Sequence, residues 1–504
     1  MHRSKRSKNQ LDSFEDVDEL DSSDLHHKLP QGHSPHTSQQ DSPIHSRRAH
    51  VTSLEQQLLW QSHSPALPTT ASSADVGLPL SSDAHSVSFA ALQIDPKRTF
   101  VSSTPLKSRL SSYDAHHQSH VRPAVNCRQV GKLLKKEIQS DMEVEDGALC
   151  QKIFYFPDDI KFTRELLTRM KRVWDTKQNN WKFDCDHSEE SIANLLNLIG
   201  KEFCRVKKIA QVRKWVAETC NTPPKGANPA TPLKCKPDIV LIDKEFRNPT
   251  WDRIHAFGEI TSQTYYHATM KETVFTKTHV IFSAQQSRRF VCSFAFYGED
   301  ARLSLIDREG ILYQKVRFLN PGWQNAATFV HMIVGFMCGS LTGLGYDPTI
   351  QLKDGAVNTI NVTQSGKTTT YRVTKKLHVT TGVFGRGTHV WQAHLLDDET
   401  KQVVIKDAWP LVSRAELEGE ALRRLDGVPG IPVIAQMATV SFPRYEGGRL
   451  NQDSTNIFRS AVVSRSVRNH VHRRFVMSSV CTRMGHFRNL SELIGAFRDI
   501  IIGK

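Results

Sequence analysis

Apolar positions recur with helical or strand periods only from about Cys127 onward. Residues 1–122 show no sustained periodicity and are rich in Ser, His, Gln, Asp and Pro. Twelve of the 23 histidines fall before position 121. A segment of that kind buries too little apolar surface to offset its ordering entropy, so residues 1–122 are expected to be a disordered tail. Its histidines show no repeated i, i+4 spacing on a plausible helix, which argues against a metal tract.

Between 123 and 350 the pattern predicts an α/β domain. Helices are expected at Phe162–Trp174 and Glu189–Phe203. In the second, Ile192, Leu195, Leu196, Leu198, Ile199 and Phe203 form an apolar stripe behind Ser188 as N-cap. Asn221–Pro232 reads as a loop. Strands are expected at Asp238–Ile242 and Ile254–Thr261, followed by a helix over Thr264–Gln285. Arg289–Tyr297, Arg302–Ile306 and Leu312–Phe318 are rich in β-formers, and Trp323–Gly339 reads as a helix.

A second domain is expected over 369–504. Tyr371–Val383 reads as a strand, followed by a Gly-rich turn, then strands at Val390–Leu395 and Gln402–Ala408 and a helix at Ala415–Leu425. Near the end, Leu493, Ile494, Phe497, Ile500 and Ile501 share one face of an amphipathic helix, with Ser491 as its expected N-cap. The fold class is therefore α+β.

Charge and cysteine usage narrow the setting. Lys plus Arg exceed Asp plus Glu, for a net charge of +14. That balance permits an acidic partner such as nucleic acid or nucleotide phosphate, but a solvated basic surface plus a basic tail is the preferred account of it. The basic start, Met1 to Lys8, leads into no apolar run, which argues against a secretory signal. Nine cysteines without a C-x-x-C pair read as reduced thiols, so the expected location is cytoplasmic or nuclear. No membrane partner is expected, because Ala326–Gly345 is interrupted by His331, Ser340 and Thr342.

The chemistry concentrates in the second domain. Gly385-Arg386-Gly387-Thr388 sits between two strands, where bare backbone N–H groups can approach phosphates. Val403-Val404-Ile405-Lys406 then ends a strand on a lysine, a strand–turn–strand distance beyond Gly387. Glu416, Glu418 and Glu420 follow on a helix. Of these, Glu418 is the expected inward-facing carboxylate, because Ala421, Leu422 and Leu425 would then face the core, and Glu420 is the runner-up.

These residues resemble the fungal-type protein kinase family. So do Arg473-Arg474-Phe475-Val476-Met477, the stretch Leu490–Gly503, and upstream Arg288-Arg289-Phe290-Val291, Leu303–Arg308 and Gly345–Ile350. The resemblance implies a kinase-like N-lobe with an incomplete C-lobe. It implies ATP as ligand, with magnesium, and protein Ser/Thr phosphorylation in full-length relatives. Gly385 and Gly387 would cover the phosphates, and Lys406, held by Glu418, would contact them. The backbone of Val480 and Cys481 would face adenine. One departure is Val390, which stands where the third glycine of G-x-G-x-x-G would fall. A larger one is that no His-Arg-Asp or Asp-Phe-Gly occurs in the chain. Transfer needs those carboxylates. The expectation is an inactive fragment stopping ahead of the catalytic loop, or a nucleotide-binding pseudokinase. The alternative is a non-catalytic interaction module.

The order helix–strand–strand–helix–strand over 189–297 also resembles the restriction-endonuclease core. That likeness implies Asp238 and Glu259 as metal candidates on adjacent strands, with Thr261 where a lysine would stand. A metal-dependent nuclease is the third reading.

Overall fold

The computed structural model describes residues 126–502, except 145–146, 158–159, 184–186, 227–232, 262–266, 299, 318–321, 429–430, 444–447, 460–467, 479 and 482–486. The tail expected over 1–122 lies outside the described residues.

Two mixed α/β layers follow from the two periodicities. The first contains α1 (Cys127–Glu137), β1 (Ser140–Val144), α2 (Ala148–Ile153), α3 (Arg164–Arg169), β2 (Trp174–Asp175), β3 (Asn180–Trp181), α4 (Glu189–Lys207), β4 (Arg213–Val216), β5 (Ile239–Asp243) and β6 (Ala256–Thr261). It continues through α5 (His267–Ala284), β7 (Val291–Tyr297), β8 (Asp300–Ile306), β9 (Gly310–Arg317) and α6 (Trp323–Cys338). Ser188 caps α4 by accepting from Ser191 N at 3.2 Å, as its sequence suggests. The helix expected over Phe162–Trp174 shrinks to α3, because Trp174 and Trp181 pair in a small hairpin instead.

Seven strands form one sheet in the order β1-β9-β8-β7-β6-β5-β4. β1 and β9 run parallel, as do β6 and β7, which α5 connects. The other neighbours are antiparallel. Every residue of β7 is buried, as expected for a central strand covered on both faces. One face packs with α4 and α6 around Phe203, Trp215, Phe294 and Phe336. The other packs with α1 and α5 around Val130, Phe257, Phe275 and Phe282. Among the described residues no helix is long and apolar enough to cross a membrane.

The second sheet contains β10 (Ile350–Lys353), β11 (Ala356–Gln364), β12 (Lys367–Val379), β13 (His389–Leu395), β14 (Asp398–Ala408), β15 (Ile434–Thr439) and β18 (Arg473–Met477). Helix α7 (Leu417–Arg424) follows β14. The short pair β16 (Ser441–Pro443) and β17 (Leu450–Gln452) and the single turn α8 (Asn456–Arg459) lie between β15 and β18. Helix α9 (Leu490–Ile502) comes last. Strand order is β10-β11-β12-β13-β14-β18-β15, antiparallel throughout. The sheet thus begins at Ile350, ahead of Thr369. Both sheets belong to one unit, Pro96–Lys504.

Strand periodicity divides the second sheet into two faces. Lys406 and Phe475 are register partners on one face. Ile405 pairs with Val476 and Asp407 with Arg474 on the other, above a core of Ile360, Tyr371, Trp391 and Ile405. Trp391 Nε1 donates to Gln286 Oε1 at 2.8 Å, so this second face meets the first layer. Asn489 rather than Ser491 caps α9, since Asn489 Oδ1 accepts from Glu492 N at 2.9 Å.

Candidate functional site

Lys406 reaches the end of β14 on the face that carries α7. Its Nζ donates to Glu418 Oε1. Glu418 Oε2 accepts from Arg386 Nη2 at 2.7 Å, so two cations share one carboxylate. Burial raises the cost of the Glu418 charge, but Lys406 and Arg386 outweigh it and hold the carboxyl below its ordinary range. Glu416 pairs instead with Arg473, and Glu420 is exposed. Ala421 and Leu425, expected to face the core beside Glu418, are instead exposed. The helix docks through Gly419, where a Cβ would collide with Met437. A small residue, not an apolar stripe, sets how closely α7 approaches the sheet.

The glycine turn lies between β12 and β13. Gly385 and Gly387 both hold positive φ, +87° and +45°. Gly385 N donates to Arg308 O at 2.8 Å, and Trp409 N donates to Arg386 O at 2.7 Å. Val390 is the register partner of Lys406 on the next strand. Val480 and Cys481 follow β18 and are both exposed.

Behind the sheet lies a buried charge network invisible to motif reading. Arg474 Nη2 contacts Asp407 Oδ2 at 2.6 Å and Asp347 Oδ2 at 2.9 Å. His472 bridges Asp407 at 3.1 Å and Asp453 at 3.0 Å, and Arg289 reaches Asp453 at 3.0 Å. Burial opposes the His472 charge, but the two aspartates lift its pKa to about 9. Asp347, Asp407 and His472 lie close enough to suggest a metal cage. Their donors are already committed to one another and to Arg474. The adjoining cavity of about 10 Å³ holds about one water. Several residues that carry the family resemblance (Arg289, Asp347, Arg474) therefore join the two layers.

The second constellation sits in the first sheet. Glu259 on β6 is buried, and its Oε2 accepts from Lys277 Nζ on α5. Asp238 precedes β5, next to Glu259, and accepts from Ile260 N at 2.7 Å. Among the described residues Glu259 Oε1 has no hydrogen-bond partner. Burial, with the Asp238 charge adding to it, pushes the Glu259 carboxyl up to about 7 against the pull of Lys277. Burial raises Asp238 as well. Cys127 Sγ and Cys235 Sγ are 2.8 Å apart, and the hydrogen bond from Cys235 lowers the Cys127 thiol to about 7. Thr261 does not supply a lysine; Lys277 comes from the following helix.

Residues 236–504, just over half of the chain, match the sequence model of the family described as fungal protein kinase. No curated protein and no solved structure matches. The match opens two residues before Asp238 and runs through β5 to β9 and the whole second sheet, so it takes in both constellations. The chain belongs to the fungal protein kinase family.

Proposed function

We propose that the second sheet is a kinase-like N-lobe that binds ATP on the face carrying α7. The observation that carries this is the ion pair between Lys406 on β14 and Glu418 on α7. A strand lysine fixed by a helix glutamate is the arrangement that presents an ammonium to nucleotide phosphates. Arg386 adds a second cation, so the cluster carries excess positive charge and fits an anion. Gly385 and Gly387 bring backbone close to the phosphates, and Val480 and Cys481 face the base. ATP, with magnesium, supplies the transferable phosphoryl group when bound. The 504 residues contain no His-Arg-Asp or Asp-Phe-Gly, so transfer would require carboxylates from outside them. The proposed activity of these residues is nucleotide binding without turnover. The test is thermal stabilisation by magnesium–ATP. Wild type should be stabilised and Lys406→Ala should not; equal shifts would remove the site.

A second reading concerns the first sheet. Glu259, buried, and Asp238, half-buried, form a pair of carboxylates with one lysine, Lys277, and among the described residues Glu259 Oε1 has no hydrogen-bond partner. An oxygen pair of this kind suits a hard divalent cation, and the lysine suits a phosphodiester oxygen. We propose a divalent-cation site in a nuclease-like front domain. Manganese should raise the melting temperature of wild type but not of Glu259→Gln. Absence of any manganese effect on wild type would end this reading.

A further inference from the structure

The turn between β8 and β9 is Asp307-Arg308-Glu309-Gly310, and its three charged side chains are all buried. Charged residues are seldom fully buried without a specific partner. Each of these reaches a different part of the second layer. Asp307 pairs with Arg459 on α8, and Glu309 Oε2 lies 3.2 Å from His470 Nε2. Arg308 Nη1 donates to Gly382 O at 2.8 Å and Val383 O at 3.1 Å. Its own carbonyl accepts from Gly385 N. The guanidinium stacks over Phe282, 4.2 Å from the ring centre. It also occupies the space into which a Cβ on Gly387 would point. Asp307 Oδ1 accepts from Glu309 N and Gly310 N at 2.9 and 3.1 Å, which stiffens the turn itself.

The glycine turn is thereby gripped at four successive points: both carbonyls at its start, the Gly385 amide and the bare face of Gly387. Val383 is wholly buried in the core of the first sheet, and Phe384 stacks edge-on against Phe275. We propose that Arg308 is a positioning residue for nucleotide binding, fixing Gly385–Gly387 from within the first layer. This rests on the nucleotide reading above. A flexible glycine turn must be ordered before its amides can meet phosphates, and a preformed mould removes that ordering cost from binding. The mould also explains why a glycine is needed at 387 beyond its positive φ.

The experiment uses the full chain. Hydrogen exchange is measured without nucleotide at residues 382–388 and at strand residues 403–407, and magnesium–ATP affinity is measured separately. Arg308→Ala should speed exchange at 382–388 by about tenfold or more and leave 403–407 unchanged. ATP affinity should fall by about tenfold. Arg308→Lys keeps the charge but not the fork that meets two carbonyls, and should fall between. Gly387→Ala should mimic Arg308→Ala through collision, and the double variant should be no worse than either single one. Unchanged exchange and affinity in Arg308→Ala would overturn the proposal. Equal acceleration at 403–407 would also overturn it, since Arg308 would then merely support the fold. A wild type that binds no ATP removes the nucleotide reading alone; the exchange data still decide whether Arg308 orders the turn.

Discussion

Two lysine–glutamate pairs, each spanning a strand and the next helix, occupy the two sheets with opposite consequences. In the second sheet, Lys406 and Glu418 keep 23% and 29% of their side-chain surface exposed. In the first, Lys277 and Glu259 keep 7% and 5%. The third charge differs too: Arg386 joins the exposed pair, and Asp238 joins the buried one. One cluster therefore has a positive surplus and the other a negative surplus in a drier place. The same two residue types accordingly point to an anion in one sheet and a cation in the other. Neighbouring charge and burial, rather than the pair itself, decide the ligand class.

Lys277→Met separates the pairs most sharply. It leaves the Glu259 carboxylate buried without its cation, beside the half-buried Asp238, and should cost about 3–5 kcal/mol in chemical denaturation. A loss no greater than that of Lys406→Met would erase the contrast. Next comes pH. The Glu259 carboxyl is raised from 4.5 to about 7 by folding. Its contribution to stability is therefore complete below pH 4.5 and disappears as pH rises through 7. Glu259→Gln should flatten that part of the melting-temperature profile, and wild-type manganese affinity should climb across the same interval. A slope unchanged by the substitution would assign it to other groups. Lys406→Met touches a partly solvated pair and should cost no more than about 1 kcal/mol, while cancelling stabilisation by ATP. Smallest is Arg386→Gln, at a few tenths of a kcal/mol, with a partial loss of the ATP effect that fades in high salt.

What the sequence discloses follows the range of each contact. Lys406 and Glu418 are readable because strand, turn and helix follow one another directly. Asp238 and Glu259 are readable because one stands just before, and the other within, a strand with a clear apolar run. Lys277 is not: α5 is covered on several sides and buries Thr276, Lys277 and Thr278, so no polar stripe marks the lysine as special. Thr261, where the resemblance puts a lysine, is local to the strand, whereas Lys277 comes from the crossover helix. Arg386 is concealed by the glycines around it. Leu425 misleads, because an apolar residue at helical spacing is expected inward, yet Gly419 makes the approach. The network of Asp347, Asp407, Asp453, His472 and Arg474 joins segments more than a hundred residues apart, which no periodicity reports.

The hairpin of β10 and β11 completes the second sheet on its β12 side, and Asp347 just before it neutralises Arg474. A polypeptide begun at Thr369 would lose both. The β12 residues Thr369–Arg372, which pair with β11, would become an open rim of unsatisfied amides and carbonyls. Such a rim invites strand addition from another copy, so the shortened second sheet would self-associate in solution, where the longer chain supplies its own closing strands.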